Sequence, residues 1–355
     1  MCALHTIGAT MPTWNMLSSD GAPSTGRQAL TRRIGWAVAV VAVAALLIGS
    51  RHDIPTVWHQ LRSSDWRWVM TGVVAMVLGF VNLGWMHAGA RRAVGIPTPA
   101  APLVPVAMSA NALNLVVKSG GMAVLGVFTS DGRDRGLPRG SVIAAYVLVV
   151  TVADVAFTLM LMVALATIIV DGRFSVIDGI AVALFAVYLA IRGSLLAVAW
   201  RSRDAVRRLM SWPSRTLARV RHRAAPAPDH EAADELFDAL GLIRADPRRV
   251  ARTTAHACIV DLVGIVELWA VCHAVGTGTG LYVAFVAYLV SVLFAIVSVL
   301  PGGLGFVELS LSAVLVSFGS TATTAAAAVV LYRLFELWLP LASGGLATLW
   351  LRRSR

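Results

Sequence analysis

Long apolar runs constrain this chain more than any other feature. A helix needs about 20 apolar residues to cross a bilayer. Runs near or above that length recur from one end of the sequence to the other: Ile34–Ser50, Val69–His87, Leu103–Phe128, Ser141–Val170, Ile177–Trp200, Arg252–Val275, Leu281–Leu300, Leu304–Gly319 and Thr321–Trp350. With 57% hydrophobic and only 14% charged residues, and a mean hydropathy of +0.75, a soluble globular fold is excluded. A transmembrane β-barrel would need short alternating segments, which the sequence lacks. The expected fold is an all-α polytopic membrane protein.

Two of these runs are interrupted. Val299-Leu300-Pro301-Gly302-Gly303-Leu304-Gly305-Phe306-Val307-Glu308 places a proline, three glycines and a carboxylate inside apolar sequence. Proline lacks a backbone donor and glycine disfavours helix, so a continuous span is not expected to run through it. Alanine at Gly302 and Gly303 is expected to favour a continuous helix by about 1 kcal/mol per site. Upstream, Val117-Lys118-Ser119-Gly120-Gly121 repeats the pattern more weakly. Interrupted hydrophobic segments at matching places in two halves point to a transporter-like site.

The net charge of +11 does not indicate nucleic-acid binding, because the basic residues sit in short connections beside apolar runs, where they set topology. Arg27, Arg32 and Arg33 place the N-terminus in the cytoplasm, Arg91 and Arg92 mark a second cytoplasmic loop, and the Arg-rich opening of the Arg201–Val250 loop marks a third. Parity then requires Leu103–Phe128 to enter and return as a re-entrant hairpin. Gly276–Gly280 lies outside, and Arg352, Arg353 and Arg355 lie inside. The expected architecture is about seven full spans plus two broken or re-entrant helical hairpins, entering from opposite faces as in an inverted repeat. Residues 1–33 are expected to form a flexible cytoplasmic tail, residues 34–350 a single transmembrane domain, and residues 351–355 a cytoplasmic C-terminal tail. Ile34–Ser50 lacks an Ala-x-Ala-like cleavage site and reads as a retained span. Within the 201–250 loop, Leu236, Leu240 and Ile243 at helical spacing predict an amphipathic helix over Asp229–Leu242. Docking onto the Arg run or onto headgroups is one reading of it; a solvated connector is the preferred one.

Ionisable residues inside membrane segments are costly and face the protein interior or a wet pathway. Those in the apolar runs are Lys118, Asp154, Arg192, Asp261, Glu267, Glu308, Arg333 and Glu336, with Asn111 and Asn114 as neutral companions. Lys118, the one lysine in the chain, could attract an anionic headgroup beside a helix break, or simply be ion-paired. Glu308 could be a cation or proton site; the preferred reading makes it the partner of a buried arginine. Arg333 and Glu336, three apart on one helix, can neutralise each other. Asp261 and Glu267 point to different helix faces, and His256 with Cys258 has no convincing metal spacing, so structural roles are preferred for all four. Cys2, Cys258 and Cys272 form no disulfide framework. No zincin helix, P-loop, nucleophile elbow or dinucleotide fingerprint occurs, so neither an enzyme nor a cofactor site is expected.

The late motif Pro301-Gly302-Gly303-Leu304-Gly305 with Glu308, followed by Tyr332-Arg333 and Pro340, resembles that of the lysylphosphatidylglycerol synthase transmembrane-region family, the flippase-like integral membrane proteins. Asn114, Gly120 and Asp154 match the family's earlier Asn, Gly and helix Asp. Val117 and Gly121 depart from its early Pro and acidic residue. The resemblance spans roughly Ile34 to Trp350. In bifunctional members this region looks like the part that moves an aminoacylated phospholipid between leaflets, while a separate cytoplasmic domain makes that lipid. No synthase domain is expected after the last helix here. The resemblance implies a protein that translocates or binds lipids or lipid-linked glycans. Joined to the broken helices, it leads to the expectation of a plasma-membrane protein that handles a phospholipid or lipid-linked glycan along a polar path with candidates Asn111, Asn114, Lys118, Gly120, Asp154, Pro301, Gly302, Gly303, Glu308, Arg333 and Glu336. Its partners would be membrane lipids with anionic or glycosylated headgroups. The alternative is a non-transporting membrane subunit that scaffolds, or supplies lipid to, an envelope glycosyltransferase.

Overall fold

The computed structural model describes residue 59 and residues 62–117, 120–172, 176–220, 229–298 and 300–353, without the side chains of residues 177 and 213–220. The expected tail over residues 1–33, the run Ile34–Ser50 and Lys118 lie outside the described residues. The described chain is helical: α1 Trp66–Ala93, α2 Leu103–Val116, α3 Met122–Asp134, α4 Arg139–Val170, α5 Val176–Arg201, α6 Arg203–Val220, α7 His230–Ala245, α8 Ala251–Ala274, α9 Leu281–Val297, α10 Phe306–Ser317, α11 Ala322–Arg333 and α12 Leu339–Arg353. Short turns of 3-10 helix cover Pro247–Val250 and Pro301–Gly303, and a π-turn, Leu334–Trp338, joins α11 to α12. The all-α polytopic membrane fold expected from hydropathy is the one observed.

Among the described residues, five helical stretches are long and apolar enough to cross a membrane: Trp66–Ala93, Arg139–Val170, Asp178–Arg201, Pro247–Ala274 and Ala322–Arg353. Their outward faces are apolar. On α5, Ile180, Leu184, Val187, Ile191, Leu195 and Val198 are all exposed, a pattern that suits lipid and not water. The two interrupted runs are broken as expected. α2 and α3 have 14 and 13 residues, about 20 Å each at 1.5 Å per residue, less than the hydrocarbon thickness of about 30 Å. α9 and α10, at 17 and 12 residues, flank the second break.

The core has two levels. One gathers α8, α9, α10 and α11 around Leu268, Leu289, Leu311, Leu315 and Phe335. The other gathers α1, α2, α4, α6 and α7 around Met86, Val106, Val142, Val206 and Leu240. α1 and α8 pack along their length. The small residues Gly79 and Gly89 bring them close to Val263 and Thr253, as is usual for membrane helices. The Asn82 amide donates to the His256 carbonyl at 2.9 Å, and its oxygen meets His256 Nδ1 at 2.6 Å. Trp68 stacks edge-on against Trp269 at 5.0 Å. His256 is thus part of helix packing.

The amphipathic helix in the 201–250 loop forms, and it is docked. Leu236, Leu240 and Ile243 are buried against α4 and α6, which corrects the preference for a solvated connector. Its acidic face meets the Arg run: Arg207 donates to Asp234 at 3.0 and 2.7 Å, and Arg203 donates to Asp238 at 2.6 Å. Arg139 donates to Asp229 at 2.7 Å. Glu235 accepts the Gly140 N–H at 2.7 Å, placing a carboxylate where the unpaired donors of the α4 N-terminus favour negative charge. The hydrogen bonds from Arg207 hold the Asp234 carboxyl below its ordinary range and push the Arg207 guanidinium up.

Candidate functional site

The second helix break is built from glycines that only glycine serves well. α9 ends at Val297, Ser298 and Leu300 are extended, and Gly302, Gly303 and Gly305 follow at φ 59°, 67° and 82°. An L residue pays roughly 1–2 kcal/mol in this left-handed region. A Cβ at Gly302 would lie 2.9 Å from Leu337 Cδ1, and one at Gly303 would lie 2.9 Å from Val307 Cγ2 and 3.2 Å from the Ala295 Cα. The expectation that alanine here favours a continuous helix is therefore corrected: the turn needs both positive φ and the missing side chains.

Breaking a helix in a membrane frees backbone groups that must find partners. Glu308 and Arg333 supply them. Glu308 Oε2 accepts the Gly305 N–H at 2.7 Å, capping α10, while its Oε1 accepts from Arg333 Nε at 2.7 Å. Arg333 Nη2 donates to the Gly302 carbonyl at 2.9 Å, and Nη1 donates to Glu336 at 2.6 Å. One guanidinium, whose side chain is 6% exposed, thus ties together two carboxylates and a carbonyl released by the break. Its planar fork with several donors suits this geometry in a way an ammonium would not. Arg333 stands at the junction with the π-turn that carries Glu336, and such turns are frequent at functional sites. The preferred structural reading of Glu308 and the local pairing of Arg333 with Glu336 are both observed.

The first break lies against the second. α2 ends at Val116, Val117 is extended, and Gly120 and Gly121 turn the chain at φ 61° and 90°. The Tyr146 hydroxyl donates to the Gly121 carbonyl at 3.1 Å. A Cβ at Gly302 would be 3.7 Å from the Leu115 carbonyl oxygen, and α2 packs on the Pro301–Gly303 turn. α12 holds α2 in place: Ser109 and Thr348 hydroxyls meet at 2.6 Å, and Gly344 packs against the Met108 backbone. Asn111 on α2 is half-buried and Asn114 is exposed near its end. Of the residues singled out from sequence, Gly302, Glu308, Arg333 and Glu336 are brought together, and the helix carrying Asn111 and Asn114 lies beside them.

Asp154 belongs to another cluster. Its Oδ2 pairs with Arg192 Nε at 3.0 Å, Tyr188 donates to Oδ1 at 3.4 Å, and Arg192 donates to the Tyr188 oxygen at 2.5 Å. This cluster links α4 to α5. Asp261, buried on α8, accepts from Tyr288 at 3.3 Å, and Glu267 is 8% exposed on the same helix.

A further charged cluster was missed from sequence. Arg91, treated there as a topology marker, is 2% exposed and donates to Asp131 at 2.8 Å; Arg135 donates to the same carboxylate at 2.9 Å. The Asp131–Arg135 spacing of four residues is a legible helical pair. The approach of α1 to α3, forty residues apart, is not.

A family model described as the lysylphosphatidylglycerol synthase TM region matches residues 34–344, and the chain belongs to that family. No curated protein matches it.

Proposed function

We propose that this membrane protein moves the polar headgroup of a lipid, a phospholipid or a lipid-linked glycan, between leaflets along its two helix breaks. The observation that carries this reading is the meeting of the breaks: the end of α2 lies against the Pro301–Gly303 turn, beside the Arg333–Glu308–Glu336 group. Non-helical backbone and ionised side chains at membrane depth accompany wet or substrate-conducting paths. Family membership supports a role in lipid handling. In this reading Lys118 attracts an anionic headgroup toward the first break and Asn111, Asn114 and Gly120 line the approach, while Asp154 stands apart in its pair with Arg192. The work is non-enzymatic and takes place in the plasma membrane, with both termini cytoplasmic.

One observation favours the scaffold alternative. Arg333 already has three internal partners, which is what a structural lock requires. Under that reading the protein holds lipid for an envelope glycosyltransferase without moving it. Reconstitution into liposomes with a leaflet-accessible lipid probe separates the two: transport exposes inner-leaflet probe, whereas a scaffold leaves it protected.

A further inference from the structure

Away from the helix breaks, a cleft of about 400 Å³ opens between α4, α5, α7 and the Pro247–Val250 turn. That volume lies within the usual range for small-molecule sites. Its walls are aliphatic: Leu148 and Val152 from α4, Leu196 from α5, and Leu240 and Ile243 from α7. Thr151 also lines it, but its hydroxyl proton goes to the Val147 carbonyl at 2.8 Å, which leaves one acceptor oxygen and no donor on these walls. A sugar or peptide would find a single acceptor oxygen along these walls and would leave most of its polar groups desolvated and unpaired. A hydrocarbon chain would not.

The mouth is different. Trp200 and Arg244 line it, and the Arg244 guanidinium lies over the rings of Trp200 at 5.5 Å and Phe237 at 4.9 Å. Arg244 is exposed, and among the described residues no carboxylate pairs with it. Trp200 is the penultimate residue of α5, and tryptophan favours the level of the headgroups at a span end. Leu195 and Val198 on the same stretch of α5 are exposed and apolar, so the cleft adjoins a lipid-facing surface. Thr151 is one turn from Asp154 and Leu196 one turn from Arg192, so two of the lining residues neighbour that ion pair along their helices.

An apolar slot with an unneutralised guanidinium over aromatic rings at its mouth matches an anionic amphiphile. We infer that this cleft binds one anionic phospholipid, with an acyl chain between α4 and α5 and its phosphate on Arg244. The site stands whether or not the protein moves lipid between leaflets, because its evidence is independent of the helix breaks.

The test uses the full-length protein in detergent with sub-stoichiometric phosphatidylglycerol carrying a photoactivatable acyl chain, and the matching phosphatidylcholine in parallel. Cross-links from phosphatidylglycerol should map to the Leu148–Val152 stretch of α4 and to Leu196. Arg244→Gln should weaken phosphatidylglycerol labelling about fivefold, the value of one arginine near an anionic surface, and leave phosphatidylcholine labelling unchanged. Leu196→Trp, which fills the slot, should abolish the mapped cross-links. Because Arg244 is exposed, its variant keeps the test decisive even where the tryptophan variant does not fold. Labels spread over Leu184, Val187 and Ile191, equal labelling by both lipids, or wild-type labelling of Arg244→Gln would overturn the assignment.

Discussion

Arg333 is the residue on which the second helix break depends. Its three partners come from three places in the chain: Glu308 at the start of α10, Glu336 in the π-turn, and the Gly302 carbonyl within the break. Removing one member of a buried charge group leaves the others uncompensated, typically at a cost of about 3–5 kcal/mol. Arg333→Met is therefore expected to lower thermal stability in detergent severely. Glu308→Gln keeps the shape and one acceptor oxygen, so its cost should be nearer 1–3 kcal/mol. Gly302→Ala should also destabilise, by about 1–2 kcal/mol from the left-handed backbone and further from the contact with Leu337. A higher unfolding temperature for that variant, as a continuous helix would give, would contradict this. At this scale sequence was informative about residue types and local spacing. The Arg333–Glu336 pair follows from a separation of three residues, and a buried arginine partner for Glu308 follows from the cost of an isolated charge. The third arm, to the Gly302 carbonyl, depends on where the helix break points its freed oxygen, which spacing does not encode.

Among the elements, α7 shows most clearly what periodicity reveals and what it hides. Leu236, Leu240 and Ile243 recur at helical spacing and are buried, so the helix and its apolar face were legible. That the face packs against α4 and α6, with acids on Arg203, Arg207 and Arg139, depends on how the connection between α5 and α8 folds back, and no local pattern records that. The pairing makes α7 acid-sensitive. Asp234 has its carboxyl pKa depressed by Arg207, so its contribution is complete above the ordinary carboxylate value of about 3.9 and is lost as pH falls through the depressed one. The protection of α7 amides, taken relative to their intrinsic exchange rate at each pH and at fixed ionic strength, should fall over that acid window, and Asp234→Asn should remove the pH dependence due to this pair. Added salt at neutral pH should also loosen the helix, because these charges are exposed enough to be screened. Protection unaffected by acid, salt and the substitution would leave apolar packing alone to hold α7.

For the molecule as a whole, the balance of apolar runs and breaks was the readable part. The interruptions near Gly120 and Gly302 appear where composition placed them, and both hairpins have arms too short to cross about 30 Å of hydrocarbon. Their mutual contact was not readable, because it joins residues such as Leu115 and Gly302 through tertiary packing. The proposed orientation places Ser202 in the cytoplasm and Gly278 outside. Cysteines at these two positions, in a background without Cys2, Cys258 and Cys272, should react with an impermeant maleimide on intact cells only at position 278. Labelling of position 202 from outside would reverse the arrangement. Whether the two breaks form a headgroup path is read in proteoliposomes containing fluorescent nitrobenzoxadiazole-labelled phosphatidylglycerol and quenched from outside with dithionite. Wild-type protein should expose inner-leaflet probe to the quencher, and Lys118→Met should slow that exposure about tenfold, the loss of roughly 1.4 kcal/mol of headgroup attraction, with its unfolding temperature unchanged. Inner-leaflet probe that stays as protected as in protein-free liposomes, or a Lys118→Met protein as fast as wild type, would mean that headgroups do not pass along the breaks.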